Sequence, residues 1–159
     1  MTTLFPVFLS TLFIAIAMPL QKCKHASAAN SGTSFLVSKV SYHSTGGRGG
    51  NYESLEISAD SAIYMQARRG EEKTVRQQQS PSSWTELLST INLADFDKIK
   101  SNPGHALYDG IDVTLSVDTQ AGKHSVVNGN EDSVNYGKIK PLTDLLEKQL
   151  SEMRQQILR

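Results

Sequence analysis

From Ile111 to Asp118 the chain alternates without a break: Ile111, Val113, Leu115 and Val117 are apolar, while Asp112, Thr114, Ser116 and Asp118 are polar. Successive side chains of an extended backbone point to opposite faces, so this stretch reads as a strand with one buried and one wet face. The same period recurs upstream. "FLVSKVSYH", residues 35–43, is rich in β-branched and aromatic residues. Leu55 and Ile57 alternate with Ser54, Glu56 and Ser58, and Ile63 and Met65 share a face within "AIYMQAR", residues 62–68. "KTVRQQQ", residues 73–79, is a weaker fourth strand, and "KHSVVNG", residues 123–129, reads as a partner to Ile111–Thr119.

A helical period interrupts this pattern twice. Trp84, Leu87, Leu88 and Ile91 form one stripe, with Ser80 as N-cap and Pro81 in the first turn. Leu93, Phe96 and Ile99 carry the apolar signal onward until "SNPG" stops it. From Pro141 to the C-terminus, Leu142, Leu145, Leu146, Leu150, Met153 and Ile157 keep helical spacing. The fold expected is α+β: an antiparallel sheet of about six strands, in the order β-β-β-β-α-β-β-α, with two helices packed on one face.

The first 28 residues are of another kind. Leu4 to Leu20 is apolar and uncharged, and Ala26-Ser27-Ala28 offers the small-x-small pattern of a signal-peptidase site. The favoured organisation is a signal peptide over 1–28, a flexible linker over 29–34 and a single α+β domain over 35–159, in a secreted, periplasmic or cell-envelope protein. Cys23, the only cysteine, defines an alternative in which a lipoprotein leader ends before it and the thiol is acylated. Lys22 fits that processing box poorly. An uncleaved anchor is the third reading, and Lys22 and Lys24 after the apolar run would favour a cytoplasmic C-terminal side for it. The chain has 16 basic and 16 acidic residues, and loss of Lys22 and Lys24 leaves 14 against 16, a formal charge of −2. No basic patch points to nucleic acid, and the membrane enters only through the leader or a lipid anchor.

"STGGRGGNYES" is the most conspicuous motif. Its glycines lack the phosphate-loop spacing, no lysine follows, and the next segment is a strand rather than a helix, so it reads as a hairpin loop carrying Arg48 and Asn51. "SNPGHALYDGID", Ser101 to Asp112, is a second candidate binding loop with His105, Tyr108 and Asp109, although Leu107 and Tyr108 are expected to plug the edge of the core. His43 and His124 sit on strands and could meet across the sheet near Asp109, Asp112 or Asp118. No zinc spacing or G-x-S-x-G elbow occurs, and "NGNED" lacks the glycine and glutamate of a calcium loop.

The function expected is that of an exported, non-catalytic binding or inhibitor-type module, without a cofactor or metal, for a protein or small-molecule ligand. One alternative is an extracytoplasmic hydrolase built from His43 or His124 with strand-borne carboxylates. Another is an envelope structural protein that forms a homodimer through its C-terminal helix, whose apolar stripe also approximates a coiled-coil seam.

Overall fold

The structure, a computed structural model, describes residues 36–157. The expected leader, its cut after Ala28, Cys23 and the linker at 29–34 lie outside the described residues. Four strands follow one another as a meander: β1 (Val37–Gly46), β2 (Asn51–Ile57), β3 (Ser61–Arg68) and β4 (Glu71–Gln78). Helices α1 (Pro81–Ser89) and α2 (Leu93–Phe96) come next, then β5 (Ile111–Thr119), β6 (Gly122–Val127) and the long helix α3 (Lys140–Ile157). All pairings are antiparallel, and the strand order is β4-β3-β2-β1-β5-β6. The architecture is therefore the expected α+β sheet, with α2 as a third, one-turn helix. Asn92 starts α2 by accepting the Asp95 N–H at 3.2 Å, which separates it from α1. Among the described residues, no helix is long and apolar enough to cross a membrane.

The core lies between one sheet face and the helices. Cross-strand register puts Val40, Leu55, Ile57, Tyr64, Leu115, Val117 and Val126 on that face, and all are buried. Leu87 of α1, Phe96 of α2, and Leu142, Leu146, Leu150 and Met153 of α3 complete the cluster. The α3 stripe is thus buried within its own chain, and a helix-to-helix dimer would have to uncover it. Ser80 caps α1 by accepting the Ser83 N–H at 3.1 Å.

The alternation of β5 overstates the contrast between its faces. Ile111 is 53% exposed because it ends the strand, opposite Gly46, beyond the reach of the helices. Ser116, on the supposedly wet side, is only 1% exposed. It lies between Ser41 of β1 and Ser125 of β6, and its hydroxyl is 3.0 Å from that of Ser125. Ser41 and Ser54 are buried on the same outer face. Short side chains on central strands are overtopped by longer neighbours, and their hydroxyls satisfy one another or the backbone.

Glu53 of β2 ties α3 to the sheet. Arg154 donates to it from Nε at 2.9 Å and from the guanidinium terminus at 2.7 Å, and the Tyr64 hydroxyl donates at 2.5 Å. Burial pushes the Glu53 carboxyl up, but the hydrogen bonds from Arg154 and Tyr64 outweigh it and hold the group below its ordinary value. Burial, then the bond to Glu53, pushes the Tyr64 phenol up to about 12. A depressed carboxyl contributes stability above its unfolded pKa and loses it as pH falls through the folded value. Arg154→Met is expected to cost about 1–2 kcal/mol at neutral pH, the scale of a charge-assisted pair with one partly solvated partner. Denaturant unfolding should show the gap between Arg154→Met and wild type closing as the solution is acidified below the ordinary carboxylate range.

Candidate functional site

The two loops singled out in the sequence meet at one end of the sheet. β1 ends at Gly46, paired with Asn51 of β2 on one side and Ile111 of β5 on the other. The glycine loop leaves from there, and the Gly47 N–H donates to the Gly110 carbonyl at 2.7 Å. Gly46 has φ +117°, and a Cβ on it would stand 2.2 Å from the Gly110 oxygen. Only glycine combines that backbone with that approach. The motif is a hairpin connection, as its sequence suggests, and its first residues are docked onto the second loop.

Asp112 fixes that second loop. Its carboxylate accepts the N–H groups of Gly104 at 3.1 Å, His105 at 3.0 Å and Ala106 at 3.4 Å, and the Asn128 side-chain amide at 2.7 Å. Asn128 also accepts the Val113 N–H at 2.8 Å and donates to the Asn102 carbonyl at 2.8 Å. Burial raises the Asp112 pKa, but the bonds from Asn128 and the three backbone donors more than reverse this, leaving it below the ordinary aspartate value. With its start pinned, His105–Tyr108 winds into a 3₁₀ turn that closes at Asp109, in the left-handed region with φ +60°.

This turn does not plug the core. Leu107 is 81% exposed and Tyr108 86% exposed, which corrects the expectation from sequence. The turn's hydrogen bonds are satisfied by Asp112 and by Gly110, whose N–H donates to the His105 carbonyl at 2.9 Å, so both side chains are left projecting into solvent. Ile111 extends the exposed apolar surface beside them.

Arg48, Asn51, His105, Tyr108 and Asp109 therefore share one pole of the molecule. Arg48, Asn51, Tyr108 and Asp109 are exposed. His105 is partly covered, with Nε2 3.4 Å from a Glu131 carboxylate oxygen. Register adds a contribution that the sequence did not reveal. Tyr52 of β2 pairs with Ala67 of β3, which puts the β3–β4 turn at Arg68 and Arg69 level with the glycine loop. At about 4.8 Å per strand, Arg68 lies on the order of 10 Å from the end of β1. The sequence also missed Asp112 and Asn128 as organisers. Their signal would have been an aspartate a few residues beyond a Gly-His turn, a pattern too common to stand alone.

The histidines do not converge. His43 pairs with Ser54 and Thr114 on the outer face, and its Nδ1 is 2.9 Å from the Tyr52 hydroxyl. Burial lowers the His43 pKa. His124 is opposite Val117, which puts it on the helix-covered face, and its Nδ1 meets an Asp97 carboxylate oxygen at 2.7 Å. Asp112 is occupied by backbone donors, and Asp118 faces Lys39 at 3.5 Å. Among the described residues, no group of three His, Cys, Asp or Glu side chains could hold a metal ion. An open cleft of about 260 Å³ lies where the end of β4, α1 and α3 adjoin, lined by Gln77, Gln79, Ser83, Lys148 and Gln149 among others. It offers amides and hydroxyls together with the charged Glu86, Lys148 and Glu152, but no aromatic wall.

Replacing Asp112 by alanine should leave the amides of Gly104, His105 and Ala106 without an acceptor. Hydrogen exchange at those positions is expected to accelerate strongly while the amides of β1 and β2 stay protected. In the wild type the same loosening should set in only as pH falls through the depressed Asp112 value, since the ionised carboxylate holds the loop above it. Gly46→Ala, clashing with Gly110, should part the two loops and lower the thermal midpoint. No family model matches this chain and no curated protein sequence matches it, so the pole's own geometry is the guide to what it does.

Proposed function

We propose that this protein is an exported, non-catalytic binding module that captures a protein partner through the pole formed by the glycine loop and the His105–Tyr108 turn. One observation carries the reading: Leu107 and Tyr108 stand in solvent on a turn whose backbone is held by the Asp112 carboxylate. Keeping such side chains in water forgoes about 1.5–3 kcal/mol of burial each. A partner that covers them recovers that energy, and a pinned turn loses little conformational freedom on binding. Tyrosine and arginine are the usual anchors of protein interfaces, and Arg48 on the glycine loop, with Arg68 and Arg69 beyond it, adds exposed basic groups to the same end of the sheet. The opposed faces of His43 and His124 support a binding role over hydrolysis. The export part of the reading rests on the apolar stretch Leu4–Leu20 and the Ala26-Ser27-Ala28 site.

A photo-reactive amino acid at position 108 should give discrete protein adducts in the producing cell's extracytoplasmic fraction. The same group at Ala121, in the β5–β6 turn at the opposite end of the sheet, should give none of them. Combining the probe with Arg48→Ala should lower the adduct yield. Equal adducts from both sites, or none from position 108, would defeat the reading. Mass spectrometry of the exported product is expected to find Ala29 at the N-terminus. An acylated Cys23 would select the tethered form instead, and an intact chain inside the cell would remove the export proposal.

A further inference from the structure

We propose that β4 is an interface: two copies of this chain join along it, antiparallel about a two-fold axis at Thr74, to make one continuous sheet. The two edges of the sheet are treated differently by the fold. At the β6 edge the chain itself supplies partners. The Ser101 hydroxyl accepts the Val127 N–H at 3.1 Å, the Asn102 N–H donates to the Val127 carbonyl at 2.9 Å, and Asp97 holds His124. β4 pairs with β3 on one side only, and its outward backbone groups have no strand beside them among the described residues. An open row of N–H and C=O groups is a template for another strand.

The side chains of β4 say which strand fits. Glu71, Glu72, Lys73 and Arg76 are all exposed, and none enters an ion pair among the described residues. Two acids and two bases leave the strand neutral, so a second copy is not repelled. Glu72, Thr74 and Arg76 share the outer face, opposite Ala67, Met65 and Ile63 of β3. With the axis at Thr74, Glu72 stands opposite Arg76 of the second copy and Arg76 opposite its Glu72, while Thr74 meets itself. On the other face, Lys73 lies opposite Val75 and Glu71 opposite Gln77. Moving the axis by one residue, to Lys73 or Val75, abolishes both opposite-charge pairs. Moving it to Glu72 gains Glu71 opposite Lys73, but it sets Glu72 against its own copy and Arg68 against Arg76 twice, so like charges outnumber opposite ones. The strand thus carries a charge pattern complementary to its own reverse in one register, and cross-strand pairs of this kind fix register.

Sedimentation of the exported product into the high micromolar range should show a reversible dimer that weakens with added salt. Glu72→Arg alone and Arg76→Glu alone each place like charges together twice per dimer, and each is expected to weaken association by about tenfold or more. The double exchange Glu72→Arg with Arg76→Glu restores opposite charges and should bring the dimer back. In a Cys23→Ser background, Thr74→Cys should oxidise to a disulfide-linked dimer, whereas Val75→Cys, which faces Lys73 of the other copy, should not. A chain that stays monomeric throughout overturns the proposal, as does a dimer indifferent to the single reversals or not restored by the double exchange. Equal cross-linking at positions 74 and 75 does the same.

Discussion

The pairing of β1 with β5 is the constraint on which the molecule depends. The two strands are adjacent in the sheet but far apart in sequence: Tyr42 sits opposite Leu115, and Val40 opposite Val117. β1 to β4 could form a meander from hairpins alone, and β5 with β6 could form another. Only the β1–β5 ladder makes them one sheet with a face wide enough to bury the stripes of α1 and α3. Forming it requires α1, α2 and the following loop to carry the chain from the β4 edge back past β1. Such non-local closure costs more loop entropy than the hairpins do, and the core's burial against α1 and α3 offsets that cost. The same ladder ends at Gly46 opposite Ile111, so the contact that completes the sheet also brings the glycine loop to the 3₁₀ turn.

Much of this was legible residue by residue. The alternation in Ile111–Thr119 and Tyr52–Ser58 marked strands because one face of each is buried against helices. Ser80 and Pro81 marked the start of α1, since an N-cap is a local device with a local signature. β4 was the weakest strand to read for a physical reason: as an edge strand it is solvated along most of its length, and only Val75 packs toward the core. Partners were not legible. Periodicity tells which way a side chain points, not which strand lies beside it, so nothing in Glu53 or Arg154 announced a contact across that separation. The exposure of Leu107 and Tyr108 was hidden for a related reason. Apolar residues in a loop between a helix and a strand usually cover a core edge, and here a carboxylate from the next strand fixes the turn in an orientation that faces water.

Asp112 and Asp132 play the same part in two different connections. Asp132 accepts the N–H groups of Lys100 at 3.0 Å, Val134 at 3.1 Å and Asn135 at 3.1 Å, together with the Asn135 side-chain amide at 2.9 Å. Hydrogen bonding, led by the Asn135 side chain, lowers its pKa to about 2. Each carboxylate gathers backbone donors from a loop that has no strand to pair with, and so gives irregular chain the fixed geometry that the ladder gives the strands.

This arrangement separates the acid response of the connections from that of the sheet. The ladders are backbone to backbone and carry no titratable partner, while the 3₁₀ turn depends on Asp112 and the loop before α3 depends on Asp132. Both carboxylates bind more tightly to protein donors than to protons across the neutral range, and both surrender those donors only when protonated. Falling pH therefore reaches the connections through Asp112 and Asp132 and the core through a different group, Glu53, whose protonation frees the end of α3. A pole whose shape is set by an ionised side chain is rigid under the conditions in which it would meet a partner. That rigidity follows from electrostatics at Asp112 rather than from packing, which is why Leu107 and Tyr108 can be held in place without being buried.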